Sequence, residues 1–371
     1  MKQRTGMTRL LIVSLIPLTC AMSDSVAANL SALPVMAGHG SLSTDGTPSG
    51  IPAGMLSNGP PGTTNQTVPH LTPDATLGDL LDNPAFTGFA SRLLPWDGRN
   101  YDRGMKLSQM GSLLPWHSAV DRAAMTSALN RMIDDSNAGL QVFHDIYSTA
   151  EKRADPAKSN TGLFFYRGQP GAPFALIAPG GGFVYVGSVH EGFPYAREIS
   201  AAGYNAFVLK YRTGLGGHAA TQDMAAALGF ILRHAADLGV SQEDYSLWGS
   251  SAGARMAASI GSHGPVRFGG DDAAPPAAVI MAYTAHADTG TSEPPAFVIV
   301  GEHDGISPPA SMEQRAAVLR RMGTEVEYHL IPAAGHGFGP GIGTKAEGWL
   351  EDAIDFWKRQ ISIRFDRSAP N

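Results

Sequence analysis

The chain has 371 residues, of which 43% are hydrophobic and 16% charged, and its formal net charge is −6. This apolar content suffices for a large core and excludes a wholly disordered protein, and the acidic balance argues against a nucleic-acid partner. The single cysteine excludes an intramolecular disulfide framework and a cysteine-rich zinc site.

Residues 1–28 have the pattern of an export signal peptide. Three basic residues are followed by the apolar residues 10–18, and Val26-Ala27-Ala28 resembles a cleavage site. A mainly apolar segment of nine residues is too short for a helix across a bilayer of ~30 Å, so a retained membrane anchor is the less favoured alternative. Cys20 lies where a lipoprotein carries its lipidated cysteine, but the residues before it fit that processing pattern poorly. We expect an exported protein, periplasmic or secreted, without a transmembrane segment.

Two segments precede the main domain. Residues 29–73 contain 7 Pro, 7 Gly and 11 Ser or Thr, with Asp45 as their only charged residue, which predicts a disordered linker. Residues 74–139 have an irregular helical pattern and are predicted to form a helical N-terminal extension, which could act as a cap. The clearest helix in it covers residues 121–136.

The tetrapeptide Leu-Leu-Pro-Trp occurs twice in this extension, ending at Trp96 and at Trp116. Two copies are too few for a repeat architecture. We interpret them as chance or as two similar packing corners. The alternative is that the two tryptophans line a binding groove.

Strand and helix patterns alternate after Gly139. The predicted strands cover residues 142–147, 163–166, 174–178, 206–210, 245–248, 279–282, 297–300 and 326–331. The predicted helices cover residues 191–202, 219–238, 252–260, 309–322 and 346–360. This alternation predicts an α/β domain over residues 140–362, with a mostly parallel sheet and helices on both faces, followed by a C-terminal tail at 363–371. Ligands bind beyond the carboxyl ends of such strands.

One pentapeptide after a predicted strand has the pattern of a nucleophile. Residues 249–253 read Gly-Ser-Ser-Ala-Gly, a match to G-x-S-x-G that follows a strand and opens a helix. The two glycines allow close strand–helix approach, and Ser251 in the centre would project its hydroxyl above the sheet. The alternative is an unreactive turn of small residues.

A serine nucleophile needs a base, and the base needs an orienting carboxylate. Asp304 and His336 both come just after predicted strands, in the chain order Ser, acid, His that this arrangement requires. We predict that His336 takes the Ser251 proton and that Asp304 orients the imidazole.

Other residues offer alternatives for these roles. Asp288 also follows a strand, and other histidines are interpreted as surface or structural residues: His263, His286 and His303. Pairs of these residues suggest a metal site only weakly, so we expect no metal and no cofactor.

The oxyanion of the reaction needs backbone N–H donors. Ala252 follows the nucleophile at a helix start, and the Gly-rich loop at 179–183 follows an earlier strand. We predict Ala252, Gly181 and Gly182 as donors; a phosphate-binding loop is disfavoured because no Gly-Lys-Ser/Thr follows. Three aromatic residues are expected either to wall a substrate pocket or simply to pack around these loops: Phe183, Tyr185 and Phe338.

These motifs occur in the order typical of one enzyme family. Residues 140–362, about 60% of the chain, resemble an α/β-hydrolase of the carboxylesterase type through Pro-Gly-Gly-Gly-Phe, Gly-Ser-Ser-Ala-Gly, Gly-Glu-His-Asp and Gly-His-Gly-Phe. The sequence His190-Glu191-Gly192 is similar to bacterial acetyl esterases, including acetylxylan-esterase-like and feruloyl-esterase-like members. Many relatives carry His where this chain has Pro179.

The resemblance implies a serine esterase that acts through an acyl-enzyme on small or polymer-borne esters. The segment between the strands at 279–282 and 297–300 is too short for a large lid, which favours short acyl groups or acyl groups presented by a large polymer. An amidase or peptidase with the same triad and a non-catalytic binding protein of this fold are the alternatives. The oligomeric state is not predicted.

Overall fold

An eight-stranded sheet forms the centre of the protein in the computed structural model, which describes residues 67–368. The strands are β1 (Phe143–His144), β2 (Gly162–Tyr166), β3 (Phe174–Ala178), β4 (Asn205–Lys210), β5 (Ser246–Ser250), β6 (Ala278–Ala282), β7 (Ala296–Gly301) and β8 (Val326–Ile331). Their order in the sheet is β1-β2-β4-β3-β5-β6-β7-β8. Strand β2 is antiparallel to both its neighbours, and all pairs from β4 to β8 are parallel.

Helices cover both faces of this sheet. They are α1 (Leu77–Leu81), α2 (Arg122–Asn137), α3 (Thr149–Ala154), α4 (Phe193–Ala201), α5 (Gly216–Arg233), α6 (Ala235–Leu238), α7 (Ala252–His263), α8 (Pro309–Arg321) and α9 (Trp349–Ser368). Alternate residues of the strands join two apolar clusters, which places the clusters on opposite faces. Helices α2, α4 and α9 share one cluster, and α5, α7 and α8 the other. The predicted α/β fold with a mostly parallel sheet is confirmed.

The predicted strands β3 and β8 have the bounds that the structure shows, because each is a short apolar or alternating run between clear turn residues. The helix predicted at 219–238 is instead two helices, α5 and α6, separated at His234. The helix predicted from residue 191 begins later, since a π-helical turn, Ser188–Gly192, precedes α4.

The N-terminal segment packs into the same core as the sheet. Between α1 and α2 lie three 3₁₀ helices, Pro84–Phe86, Ala90–Leu93 and Leu107–Leu113. Their apolar side chains and those of α2 belong to the cluster that contains α4 and α9. Residues 67–368 thus belong to one compact unit.

Two predicted segments have different bounds in the structure at one end. The predicted linker at 29–73 includes an ordered end, because the backbone of Leu71 is hydrogen-bonded by Asn130 and that of Val68 by Asn137, both on α2. The tail predicted at 363–371 is helical to Ser368, since Arg364 binds the carbonyls of residues 275 and 276 and anchors the last turns of α9.

The predicted signal peptide, Cys20 and the linker up to residue 66 lie outside the described residues. Within residues 67–368, no helix has the length and apolar character needed to cross a membrane.

Candidate active site

Ser251 lies on a strained turn between β5 and α7. Its backbone has φ 51° and ψ −114°, a conformation that costs a non-glycine residue about 1–3 kcal/mol. A Cβ on Gly253 would lie 1.8 Å from the Ala178 carbonyl oxygen, and one on Gly249 would lie 2.3 Å from the Gly253 backbone. Only glycine at both positions allows α7 to approach β3 and β5 this closely. The turn therefore projects Ser251 at the carboxyl edge of the sheet.

The three residues predicted to share the chemistry lie together. The His336 Nε2 atom is 2.9 Å from Ser251 Oγ, and its Nδ1 atom is 2.8 Å from Asp304 Oδ2. The His336 side chain is 6% exposed and that of Asp304 is fully buried. This chain of hydrogen bonds can pass a proton from the serine hydroxyl to the imidazole while the carboxylate holds the other ring nitrogen.

Asp304 is held by its own loop. Its Oδ1 atom accepts N–H groups from Ile306 at 2.9 Å and from Ser307 at 2.7 Å. Both carboxylate oxygens are thus occupied, and Oδ2 is directed to His336. On the other side of the imidazole, the ring of Tyr283 packs edge to face at 5.1 Å between centroids.

The Gly-rich loop at 179–183 lies beside Ser251. A Cβ on Gly180 would be 3.0 Å from Ser251 Cβ, and Gly181 and Gly182 have φ values of 128° and 62°. Among residues 67–368, the N–H groups of Gly181, Gly182 and Ala252 donate to no protein acceptor. The Gly180 N–H, in contrast, donates to Glu191 Oε2 at 2.6 Å.

Sequence reasoning missed a buried polar network behind this loop. Glu191 Oε1 accepts the Tyr283 hydroxyl at 2.7 Å and His117 Nε2 at 3.0 Å. The Tyr195 hydroxyl lies 3.1 Å from both Tyr283 Oη and Ser250 Oγ. The sequence signal for this network is the tripeptide His190-Glu191-Gly192, which resembles acetyl esterases but does not by itself indicate a role. No local pattern marks His117.

The charges of this network are shifted by burial and by one another. Burial opposes ionisation of Glu191, but His117, His190 and the Tyr283 hydroxyl together lower the pKa of the carboxyl to about 2. The pKa of the neighbouring His190 falls to about 4 because its ring is buried and faces His117. Glu191 is therefore an anion and His190 is neutral at pH 7.

Of the aromatic residues predicted to line a pocket, two are core residues. Tyr185 and Phe338 are buried and pack in the cluster around α2, α4 and α9, so they do not wall an open pocket. Phe183 is half-buried and packs edge to face on Tyr211. The aromatic side chain open to solvent at the Gly-rich loop is Trp116, which is 40% exposed and lies against Gly182.

The two Leu-Leu-Pro-Trp copies converge on one residue. The ring centroids of Trp96 and Trp116 lie 4.7 Å and 5.3 Å from that of Tyr185, and Trp96 Nε1 donates to the Leu113 carbonyl in the second copy. The repeat thus forms two packing corners around Tyr185, and the second corner also borders the site.

Within residues 67–368, the residues considered as alternatives to Asp304 and His336 make no hydrogen bond to the proposed site. Asp288 accepts a hydrogen bond from His263 at 2.7 Å, at the far end of α7 from Ser251. His286 is buried near Arg315, and His303 has a largely exposed side chain. None of them is hydrogen-bonded to Ser251 or His336 within the described chain.

Two family models match consecutive parts of the chain. Residues 167–273 match the BD-FAE model, and residues 277–364 match the model described as the prolyl oligopeptidase family. The first match contains the Gly-rich loop and Ser251, and the second contains Asp304 and His336. No curated protein sequence matches the chain.

Solved structures share the fold at low sequence identity. An acetyl ester-xyloside bifunctional hydrolase from Caldicellulosiruptor lactoaceticus is 18% identical with a TM-score of 0.51, covering 58% of this chain and 95% of that one. A propionate-bound esterase from Thermogutta terrifontis is 20% identical, with a TM-score of 0.49 over 54% and 89% of the two chains. Carboxyl esterase 2 from Tuber melanosporum is 17% identical, with a TM-score of 0.46 over 54% and 82%.

The order of the strands, the turn at Ser251 and the two adjacent family matches agree with one another. The chain thus has a fold similar to that of the acetyl ester-xyloside hydrolase, and consecutive parts of it match the BD-FAE and prolyl oligopeptidase family models.

Proposed function

We propose that the protein hydrolyses carboxylic esters through an acyl-enzyme on Ser251, with short acyl groups as its preferred substrates. Ser251 is the nucleophile, His336 the general base and acid, and Asp304 the residue that orients the imidazole. The observation that carries this proposal is the hydrogen-bonded chain from Ser251 Oγ through His336 to Asp304.

The reaction follows from these contacts in two halves. The Ser251 oxygen attacks the ester carbonyl as its proton passes to His336 Nε2, and the carbonyl oxygen becomes an anion. His336 then gives that proton to the alcohol oxygen as the C–O bond breaks. A water molecule repeats the attack on the acyl-enzyme, with His336 taking and returning a proton.

The anion needs preorganised donors. We assign the N–H groups of Gly181, Gly182 and Ala252 to this role. Ala252 follows Ser251 directly, the two glycines follow Gly180, which lies against Ser251, and none of the three N–H groups donates to an acceptor within residues 67–368. Each such donor typically lowers the activation free energy by roughly 3 kcal/mol. The N-terminus of α7 adds a favourable dipole at the same point.

The preference for short acyl groups rests on the surroundings of the site. The segment between β6 and β7 is only 13 residues, 283–295, and forms no helix or strand. Tyr185 and Phe338, which could have lined a longer acyl pocket, are packed into the core. The similarity to a hydrolase of acetyl esters is consistent with a small acyl group.

A peptidase is the second candidate, because residues 277–364 match the prolyl oligopeptidase family. The same three residues would serve amide hydrolysis. The esterase is preferred because the part of the chain with the nucleophile and the Gly-rich loop matches BD-FAE instead.

The test is hydrolysis of p-nitrophenyl acetate, butyrate and octanoate, and of matched p-nitroanilides, by the protein and by Ser251→Ala. We expect kcat/KM to fall from acetate to octanoate, the anilides to be poor substrates, and Ser251→Ala to lose about 10⁴-fold or more in kcat. Faster cleavage of the anilides would favour the peptidase. Unchanged activity in Ser251→Ala would refute the proposed mechanism.

A further inference from the structure

We propose that His117 and Glu191 are positioning residues that hold the Gly-rich loop in its oxyanion-binding form, so that the N-terminal segment completes the active site. This inference rests on the proposed function and assigns a role to a segment whose contribution the sequence left open.

Glu191 is hydrogen-bonded directly to the Gly-rich loop. The Gly180 N–H donates to Glu191 Oε2 at 2.6 Å, and the carboxylate side chain is fully buried. A short, charge-assisted hydrogen bond in a dry environment fixes the peptide plane strongly. The Gly180 amide is turned to Glu191, and Gly181 and Gly182 follow it with positive φ values. Their N–H groups donate to no acceptor in the described part of the chain.

The same carboxylate is also linked to the loop that follows β8 and carries His336, residues 332–339, which we call the histidine loop. Glu191 Oε1 accepts the Tyr283 hydroxyl at 2.7 Å, and this hydroxyl oxygen in turn accepts the Gly339 N–H at 3.2 Å. The Tyr283 ring packs on the His336 imidazole. One buried anion therefore positions both the proposed oxyanion donors and the surroundings of the general base.

His117 stabilises the negative charge of the buried Glu191 carboxylate. A buried carboxylate is costly unless it is paired and fully hydrogen-bonded. His117 donates from Nε2 to Glu191 at 3.0 Å, and its side chain is only 2% exposed. His117 Nδ1 lies 2.9 Å from the Tyr185 hydroxyl, and the Tyr185 N–H donates to the Gly181 carbonyl at 3.1 Å. The imidazole is thus linked to the loop a second time, through Tyr185.

Ser118, which follows His117 in the N-terminal segment, is hydrogen-bonded to the histidine loop. The Ser118 N–H donates to the Gly337 carbonyl, and the Ser118 hydroxyl donates to the His336 carbonyl, both at 2.9 Å. Residues 116–118 therefore contact both sides of the site. Neither His117 nor Glu191 reaches Ser251, so their effect on catalysis is exerted through the backbone that they hold.

The experiment compares two substitutions of His117 of similar size. His117→Phe fills the space without a donor, whereas His117→Gln keeps a donor that can reach Glu191. The rate of p-nitrophenyl acetate hydrolysis is measured per active site, with the sites counted by covalent labelling with a fluorophosphonate. We expect His117→Phe to lower kcat by about 10- to 100-fold with KM within about twofold, and His117→Gln to recover most of the loss.

Glu191→Gln tests the other partner, because it keeps the volume and removes the charge. We expect a similar loss in kcat per labelled site. His263→Phe is the matched control: His263 also donates to a carboxylate, that of Asp288, but at the far end of α7, and we expect its kcat to be unchanged.

The outcomes separate this inference from the proposed function. Wild-type kcat per labelled site in His117→Phe, together with lost activity in Ser251→Ala, overturns the positioning role and leaves the esterase intact. Activity that persists in Ser251→Ala overturns the function itself. A purely structural role would lower the melting temperature and the number of labelled sites while kcat per site stayed constant. If His117→Phe does not fold, His117→Asn, which is polar but too short to reach Glu191, carries the same expectation.

Discussion

At the scale of single residues, the proposed site depends on carboxylates that are buried and fully hydrogen-bonded. Asp304 accepts from His336 and from two backbone N–H groups of its own loop. Glu191 accepts from a backbone amide, a tyrosine and a histidine. Each anion has donors at both oxygens, so its orientation is determined by the protein and not by solvent.

Asp304→Asn is the prediction at this scale. The amide retains the shape of the side chain but cannot hold the His336 Nδ1–H tautomer that leaves Nε2 free to accept the serine proton. We expect kcat for p-nitrophenyl acetate to fall by about 10³- to 10⁴-fold with little change in KM. Asp288→Asn, at the rival carboxylate, serves as the control and should retain full activity. A loss of less than tenfold in Asp304→Asn would remove Asp304 from its proposed role.

At the scale of elements, the crossing of α7 over β3 and β5 determines where Ser251, the proposed nucleophile, lies. Glycine is required at both ends of the turn because the backbones approach too closely for a Cβ. The strain at Ser251 is sustained by this packing, since the Ser251 N–H also donates to the Ala282 carbonyl at 2.8 Å on the neighbouring strand β6.

Gly253→Ala tests this crossing. The new methyl group would meet the Ala178 carbonyl oxygen at 1.8 Å, so helix or strand must shift. We expect the free energy of unfolding in urea to fall by about 1–3 kcal/mol, the usual cost of overpacking, and activity to fall with it. Gly305→Ala, where an added Cβ meets nothing within 4 Å, is the stability control. Equal stability of the two variants would contradict the tight crossing.

Local sequence patterns were sufficient for the elements that carry the predicted site residues. The strands β3, β5, β7 and β8 and the turn at Ser251 each follow from apolar runs that end at glycines or polar residues. Parallel strands bring their carboxyl ends to one edge, so Ser251, Asp304 and His336 could be brought together without a structure. The burial of Tyr185 and Phe338 could not be predicted, because their partners come from distant segments. The same is true of His117, which lies 74 residues before Glu191 in the chain and is part of no motif.

At the scale of the whole molecule, several titratable groups are buried in their neutral form. Burial is the main cause that lowers the pKa of His144, His190 and His286 to about 4 each, and nearby cations add to it. In the unfolded chain these histidines titrate near 6.5. Between pH 6.5 and 4 the unfolded state therefore binds more protons than the native state, and acid favours unfolding.

We expect the free energy of unfolding to fall as the pH is lowered from about 6.5 towards 4, by up to about 1.4 kcal/mol per pH unit for each of these histidines. Glu191, whose pKa is lowered to about 2, begins to lose its contribution only below about pH 4.5. Urea unfolding at pH 7.5, 6.0 and 5.0 measures the slope. His144→Gln removes one titrating group away from the site and should reduce that slope; an unaltered slope would contradict the assignment.

The hydrogen bond from Ser118 to the His336 carbonyl joins residues 218 positions apart. During synthesis residues 116–118 emerge first, Ser251, the proposed nucleophile, follows, and His336, the proposed general base, is the last of these residues to leave the ribosome. A nascent chain that ends before residue 336 would contain Ser251 without the imidazole proposed to take its proton. Under the proposed mechanism, ester hydrolysis therefore begins only after these distant segments have packed together, and its onset reports the completion of folding.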